Sequence, residues 1–190
     1  VTFIGHSVSS MIGLLAYKRK PEYFSNIIFI GPSPRYINAE NYHGGIERED
    51  LEDLLDMMDS NYLGWSQMLA PLIMANADRP ELGEQLTESF CSTDPAIARK
   101  FARGAFLSDN REDLPSLLIP SLTIQCKDDF LTSERTANYI KDQVLNNQII
   151  LLESSGHCPH LSDPKAVIQG IRTFLYEQNF RGKPDSSPSK

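Results

Sequence analysis

The sequence predicts an α/β fold, a mostly parallel sheet with helices on both faces and an all-helical segment inserted into it. Three observations predict this. Short apolar runs closed by turn residues alternate with helical periodicity at both ends of the chain. The middle, from about Glu47 to Ser108, has helical periodicity and no strand. Three reactive polar residues each follow directly on a predicted strand, where ligands bind in open parallel sheets.

Val1-Thr2-Phe3-Ile4 is β-branched and aromatic and runs straight into Gly5-His6-Ser7. From Val8 to about Lys20, Met11, Ile12, Leu14, Leu15 and Tyr17 mark one side of a helix, and Pro21 stops it. Lys18-Arg19-Lys20 complements the carboxyl end of that helix. Ile27–Ile30, closed by Gly31-Pro32, reads as a buried parallel strand, which completes a βαβ unit. The insertion is expected to hold helices at Glu47–Asp59, Leu63–Asn76, Pro80–Phe90 and Pro95–Leu107, the last capped by Asp94 with Pro95 at its first position. Beyond Pro120 the alternation resumes: strand Ser121–Cys126, helix Ser133–Val144, strand Gln148–Glu153 and helix Lys165–Tyr176, the last announced by Asp163-Pro164. The expected organisation is therefore core at 1–37, helical cap at 38–108, core again at 109–179 and a Pro-, Ser- and charge-rich disordered tail at 180–190.

A chain of 190 residues, 41% hydrophobic and 23% charged, can bury one real core. Its net charge of −7, with no clustered Lys and Arg, argues against nucleic acid or an anionic membrane as partner. No apolar run is long enough for a membrane span. The three cysteines, Cys91, Cys126 and Cys158, are odd in number and widely spaced, which points to a reducing, cytoplasmic compartment.

Gly5-His6-Ser7-Val8-Ser9 fits a tight strand-to-helix elbow, whose central serine needs small neighbours two places away. Ser9 stands where a second glycine is usual. The elbow would lift the Ser7 hydroxyl above the sheet and aim the Val8 N–H at a developing oxyanion; the alternative is that Ser7 only caps the helix. In Ser154-Ser155-Gly156-His157-Cys158-Pro159-His160, His157 can take the proton that an unactivated serine must lose. Metal binding by His157, Cys158 and His160 matches no common zinc spacing, so no metal or cofactor is expected, and His160 is expected at a pocket rim or as a helix cap. In Gln125-Cys126-Lys127-Asp128-Asp129, chemistry alone allows either aspartate to orient the imidazole, the other being solvated. The order serine, aspartate, histidine is that of α/β-hydrolases.

With these residues in place, the chain from Val1 to about Tyr176 resembles the RsbQ-type α/β-hydrolases of bacterial stress responses and, more distantly, the plant strigolactone and karrikin receptors. The resemblance is carried by Gly5-His6-Ser7-Val8, Ile30-Gly31-Pro32-Ser33-Pro34, Asn61-Tyr62 with Gly64-Trp65, and Phe90-Cys91-Ser92-Thr93-Asp94-Pro95. It continues through Ser108-Asp109, Arg111-Glu112-Asp113-Leu114 and Gly156-His157-Cys158-Pro159-His160. It implies that the acid is Asp129, that Ser9 is tolerated, and that the insertion is a four-helix cap roofing an apolar pocket. Trp65, Leu69, Phe90, Phe101 and Phe106 are then candidate lining residues, with packing inside the cap as the alternative for each.

The resemblance also implies several strands ahead of the nucleophile strand and a second oxyanion donor among them, so an N-terminally truncated fragment is expected. Loss of one such donor costs on the order of 2.7–4 kcal/mol in a barrier, and the missing strands would leave an apolar sheet edge. Two functions are expected from this reading. One is serine hydrolysis of a small apolar ester or lactone, in RsbQ-like stress signalling upstream of a sigma factor. The other is a non-catalytic small-molecule sensor that regulates a partner phosphatase. An inert truncated product is the third alternative.

Overall fold

The computed structural model describes residues 1–181. Four strands, β1 (Thr2–His6), β2 (Asn26–Ile30), β3 (Ser121–Asp128) and β4 (Asn147–Ser155), form one sheet in the order β1-β2-β3-β4. Every neighbouring pair is parallel, with Gly5 opposite Phe29, Ile30 opposite Ile124 and Cys126 opposite Leu152. Successive strand residues point to opposite faces, and the central strands are buried on both, although β3 puts the polar Ser121, Thr123 and Gln125 on one of them. Ile27 and Phe29 pack with Met11, Leu14 and Tyr17 of α1 (Val8–Arg19) and with Ile140 of α6 (Glu134–Gln143). Ile28, Ile30, Leu122 and Ile124 pack with Val167 and Phe174 of α8 (Pro164–Arg181). This double burial explains why β2 reads as a continuous apolar run, whereas β3, equally buried, alternates Ser121, Thr123 and Gln125 with Leu122, Ile124 and Cys126.

Helices α2 (Arg48–Ser60), α3 (Tyr62–Met74), α4 (Pro80–Cys91) and α5 (Pro95–Phe106) follow one another between β2 and β3. Asp94 caps α5, accepting from the amides of Ala96 and Ile97. Asn61 caps α3 by accepting from Gly64 N–H, a cap the sequence reading missed. Their apolar sides meet over the carboxyl ends of the strands in a cluster that includes Leu51, Leu55, Met58, Trp65, Leu69, Ile73 and Leu131. Ion pairs from Arg99 and Arg103 to Asp59 tie α5 to α2.

The elements begin and end within a few residues of the expected bounds, with three differences. β3 and β4 run two residues further at their carboxyl ends, because they stay paired as far as Asp128 opposite Ser155 across an irregularity after Cys126. A short helix, α7 (Pro159–Ser162), precedes α8. α8 itself continues past Tyr176 to Arg181, so positions 180 and 181 of the expected tail are helical; its remainder, 182–190, lies outside the described residues. Among the described residues β1 is paired on one side only, Ile4 is 49% exposed, and no helix is long and apolar enough to cross a membrane.

Candidate active site

β1 ends at His6 and α1 begins at Val8, which leaves Ser7 alone in the turn with φ 54° and ψ −123°. Positive φ is costly for a residue with a Cβ. The surroundings hold it there: Ser7 N–H donates to the Ile30 carbonyl at 2.8 Å, and Ser10 Oγ donates to the Gly5 carbonyl at 2.9 Å. A Cβ on Gly5 would lie 2.7 Å from the Ser9 carbonyl carbon and oxygen, so only glycine fits there. Ser9 on the other side of the elbow is exposed, so a side chain meets no obstacle at the place where a second glycine is usual. The Ser7 side chain makes no capping bond to α1. Val8 is the first residue of α1, and helix geometry leaves its N–H without an intrahelical acceptor, directly beside the Ser7 hydroxyl.

The Ser7 hydroxyl lies 2.8 Å from His157 Nε2, and His157 Nδ1 lies 2.9 and 3.2 Å from the two carboxylate oxygens of Asp129. Asp129 is buried, its side chain 1% exposed, whereas Asp128 is exposed at the end of β3. Besides His157, the carboxylate accepts from the amides of Leu131 and Thr132, the Thr132 hydroxyl and the Gln125 amide. Burial pushes its pKa up, but the bonds from His157, Thr132 and Leu131 together with the charge on His157 outweigh that, and the net direction is down. An ionised Asp129 places the imidazole proton on Nδ1 and leaves Nε2 free to accept from Ser7.

Two glycines make room for the imidazole. Gly31, at φ +54°, passes so close that a Cβ there would sit 3.1 Å from the His157 ring. Gly156, at φ +92°, lets the histidine loop press on the end of α3: a Cβ there would lie 2.1 Å from the Met74 carbonyl. The loop is also bonded to that end of α3, with His157 N–H donating to the Ile73 carbonyl at 2.8 Å and Asn76 Nδ2 to the Ser155 carbonyl at 3.1 Å.

Over Ser7 lies a cavity of about 480 Å³. Trp65, Leu69, Phe90, Phe101 and Phe106 line it, as do Val8, Tyr36, Tyr62, Leu131 and Cys158. Ile97 and Phe101 line the cavity while remaining 65% and 58% exposed. His160, expected at the pocket rim or as a helix cap, is neither: it does not line the cavity, and α7 is capped by Cys158 and Asp163. His160 sits in α7 with its ring 4.4 Å from that of His6, and its Nδ1 is buried without a hydrogen-bond partner among the described residues. His6 in turn donates from Nε2 to the His157 carbonyl at 2.8 Å, and burial, with the nearby His157, lowers its pKa to about 4.

The sequence reading missed His6 and, above all, Tyr36. The Tyr36 ring is buried against Phe106 and its hydroxyl is 3.3 Å from Ser7 Oγ. Tyr36 lies in the loop after β2, and that loop, like the other three, leaves the carboxyl end of a parallel strand; this was the available signal. Among the described residues no three His, Cys, Asp or Glu side chains converge as a metal site would require.

A parallel sheet with helices on both faces, a strained serine between strand and helix, and acid and histidine loops in that chain order define the α/β-hydrolase class. The model of the alpha/beta hydrolase family matches residues 1–169, and the chain belongs to that family. It is 36% identical over 174 residues to the strigolactone esterase D14 of Arabidopsis thaliana, covering 91% of this chain and 65% of that protein. To the karrikin insensitive 2 receptor CA of Petunia hybrida it is 33% identical over 175 residues, with 92% and 65% covered. A solved hydrolase from Oleispira antarctica superposes with a TM-score of 0.88 at 40% identity, over 92% of this chain and 65% of that one. The chain thus spans a little under two-thirds of the length of the relatives it matches.

Proposed function

We propose that the protein is a serine hydrolase acting on a small, mostly apolar ester or lactone, with Ser7, His157 and Asp129 as its catalytic triad. The single observation that carries this is the unbroken relay from the Ser7 hydroxyl through His157 to the buried Asp129 carboxylate, opening on an apolar chamber. In this reading Ser7 Oγ attacks the substrate carbonyl while its proton passes to His157 Nε2, and Asp129 stabilises the imidazolium. Val8 N–H donates to the oxyanion. The alcohol leaves with the proton from His157, and water, deprotonated in turn by His157, releases the acid from the acyl-serine. The aromatic and aliphatic lining selects an apolar acyl or lactone body, which agrees with the esterase names of relatives.

The same reading assigns 38–108 as a cap over a hydrolase core made of 1–37 and 109–179. It places the protein in a reducing, cytoplasmic setting, supported by three cysteines that are all free. Relatives named as receptors favour a second role beside hydrolysis, in which the occupied pocket signals to a protein. The RsbQ-type motifs point to stress signalling with a regulatory phosphatase as that partner.

A fluorophosphonate probe and p-nitrophenyl acetate test the enzymatic reading. The probe is expected to attach at Ser7 of the native protein and not after denaturation, and Ser7→Ala is expected to abolish both labelling and hydrolysis. Labelling elsewhere, or hydrolysis that survives in Ser7→Ala, defeats it. If Ser7→Ala keeps its effect on a signalling partner, the pocket works as a sensor without turnover.

A further inference from the structure

Tyr36 stands at the reacting oxygen with no role so far. Its backbone is fixed on both sides: its carbonyl accepts from Ile46 N–H at 3.1 Å, and Ile37 bridges to Ile46. Its ring packs edge-on against Phe106 with centroids 5.1 Å apart. Among the described residues its hydroxyl has one hydrogen-bond partner, Ser7 Oγ. The direction of that bond follows from proton counting. His157 Nδ1 keeps its proton against Asp129, so Nε2 takes the one proton that Ser7 has to offer. Tyr36 is therefore the donor and Ser7 Oγ the acceptor. Burial pushes the Tyr36 pKa up to about 12, so the proton is present at every pH where an imidazole can act as base.

We propose that Tyr36 is a further catalytic residue whose hydroxyl assists the departure of Ser7 Oγ from the acyl-enzyme. This rests on the serine-hydrolase reading above. In deacylation a water oxygen bonds to the acyl carbon as its proton passes to His157 Nε2. The tetrahedral adduct then collapses: the carbon–Oγ bond breaks, the electron pair goes to Oγ, and His157 returns the proton there, which frees the acid. Oγ begins this sequence as an ester oxygen, a poor acceptor, and gathers negative charge as the bond breaks. A donor on Oγ therefore binds the transition state better than the acyl-enzyme. In acylation the starting serine hydroxyl is already a good acceptor, so the same bond gains less. The asymmetry makes Tyr36 a deacylation residue.

The test is rapid mixing of the purified protein with p-nitrophenyl acetate, wild type against Tyr36→Phe, which removes one oxygen and keeps the ring. The burst of nitrophenolate is expected to keep its rate within about threefold, while steady-state turnover falls about tenfold, as loss of one bond to a developing charge implies. KM falls in step with kcat, because the slowed step follows acylation, and acetyl-Ser7 accumulates by intact mass. Unchanged turnover in Tyr36→Phe overturns the proposal and leaves the hydrolase reading standing. Equal slowing of burst and turnover, without accumulation, overturns it too. Loss of fluorophosphonate labelling in the variant shows a structural role instead and has the same consequence. A wild-type protein that never acquires an acetyl group at Ser7 removes both readings together.

Discussion

His6 sits between two other imidazoles, 4.9 Å from the His157 ring and 4.4 Å from that of His160, and its ring Nε2 donates to the His157 carbonyl, which fixes that backbone. Burial and the neighbouring His157 hold its pKa near 4 in the folded protein, against about 6.5 when unfolded. Between those values the unfolded chain binds more protons, so stability falls as pH drops from about 6.5 and the loss is complete below about 4. The full loss is about 3 kcal/mol. His160 shifts in the same direction, through burial and then His157. Asp129, whose pKa is lowered, adds its own loss only once pH falls below the ordinary carboxylate range. Urea denaturation at a series of pH values is expected to show the fall, and His6→Gln, which can still donate to the His157 carbonyl, to flatten it. An equally steep fall in His6→Gln would assign the loss to other groups. Little of this was legible beforehand. Ser7, His157 and the aspartate pair stood out because each reactive group closes a strand. Nothing in a linear sequence shows that the rings of His6 and His160, far apart in the chain, meet at a tilt in one half-buried cluster.

The helices and strands were legible for physical reasons that differ by element. Strand β2 is buried on both faces, so its apolar run is continuous, while β3, as deeply buried, alternates Leu122, Ile124 and Cys126 with Ser121, Thr123 and Gln125. α5 was marked at its start by Asp94-Pro95, and the aspartate does accept from two free amides. Asp94→Ala is expected to cost about 1 kcal/mol, measured by denaturant midpoint, because the cap is exposed and water replaces part of what is lost. Harder to foresee were α7, only Pro159–Ser162, and the extra length of β3 and β4. The first is too short to carry a period. The second depends on pairing between strands, which no local window contains. The cavity wall was foreseen in part: five aromatic and aliphatic residues of α3, α4 and α5 were named, while Tyr36 lay in a loop with no periodicity at all.

At the scale of the whole molecule, the histidine loop is held by the helical segment as well as by the sheet. Gly156 N–H donates to the Asp128 carbonyl at 2.7 Å and His157 N–H to the Ile73 carbonyl at 2.8 Å, so strand β3 and helix α3 grip adjacent residues. Gly156 is where the two meet. Gly156→Ala is expected to cost on the order of 3 kcal/mol from positive φ and overlap together, seen as a lower melting temperature. Fluorophosphonate labelling at Ser7 should slow as well, because the imidazole moves with its loop. Full labelling in a destabilised variant would separate loop packing from nucleophile activation.

That double grip also ties the roof to the floor. The end of α3 and the backbone of His157 are joined by a hydrogen bond, so displacing that corner displaces the imidazole with it. On α5, Ile97 and Phe101 line the chamber and are exposed to solvent as well, so there a single layer of side chains separates the two.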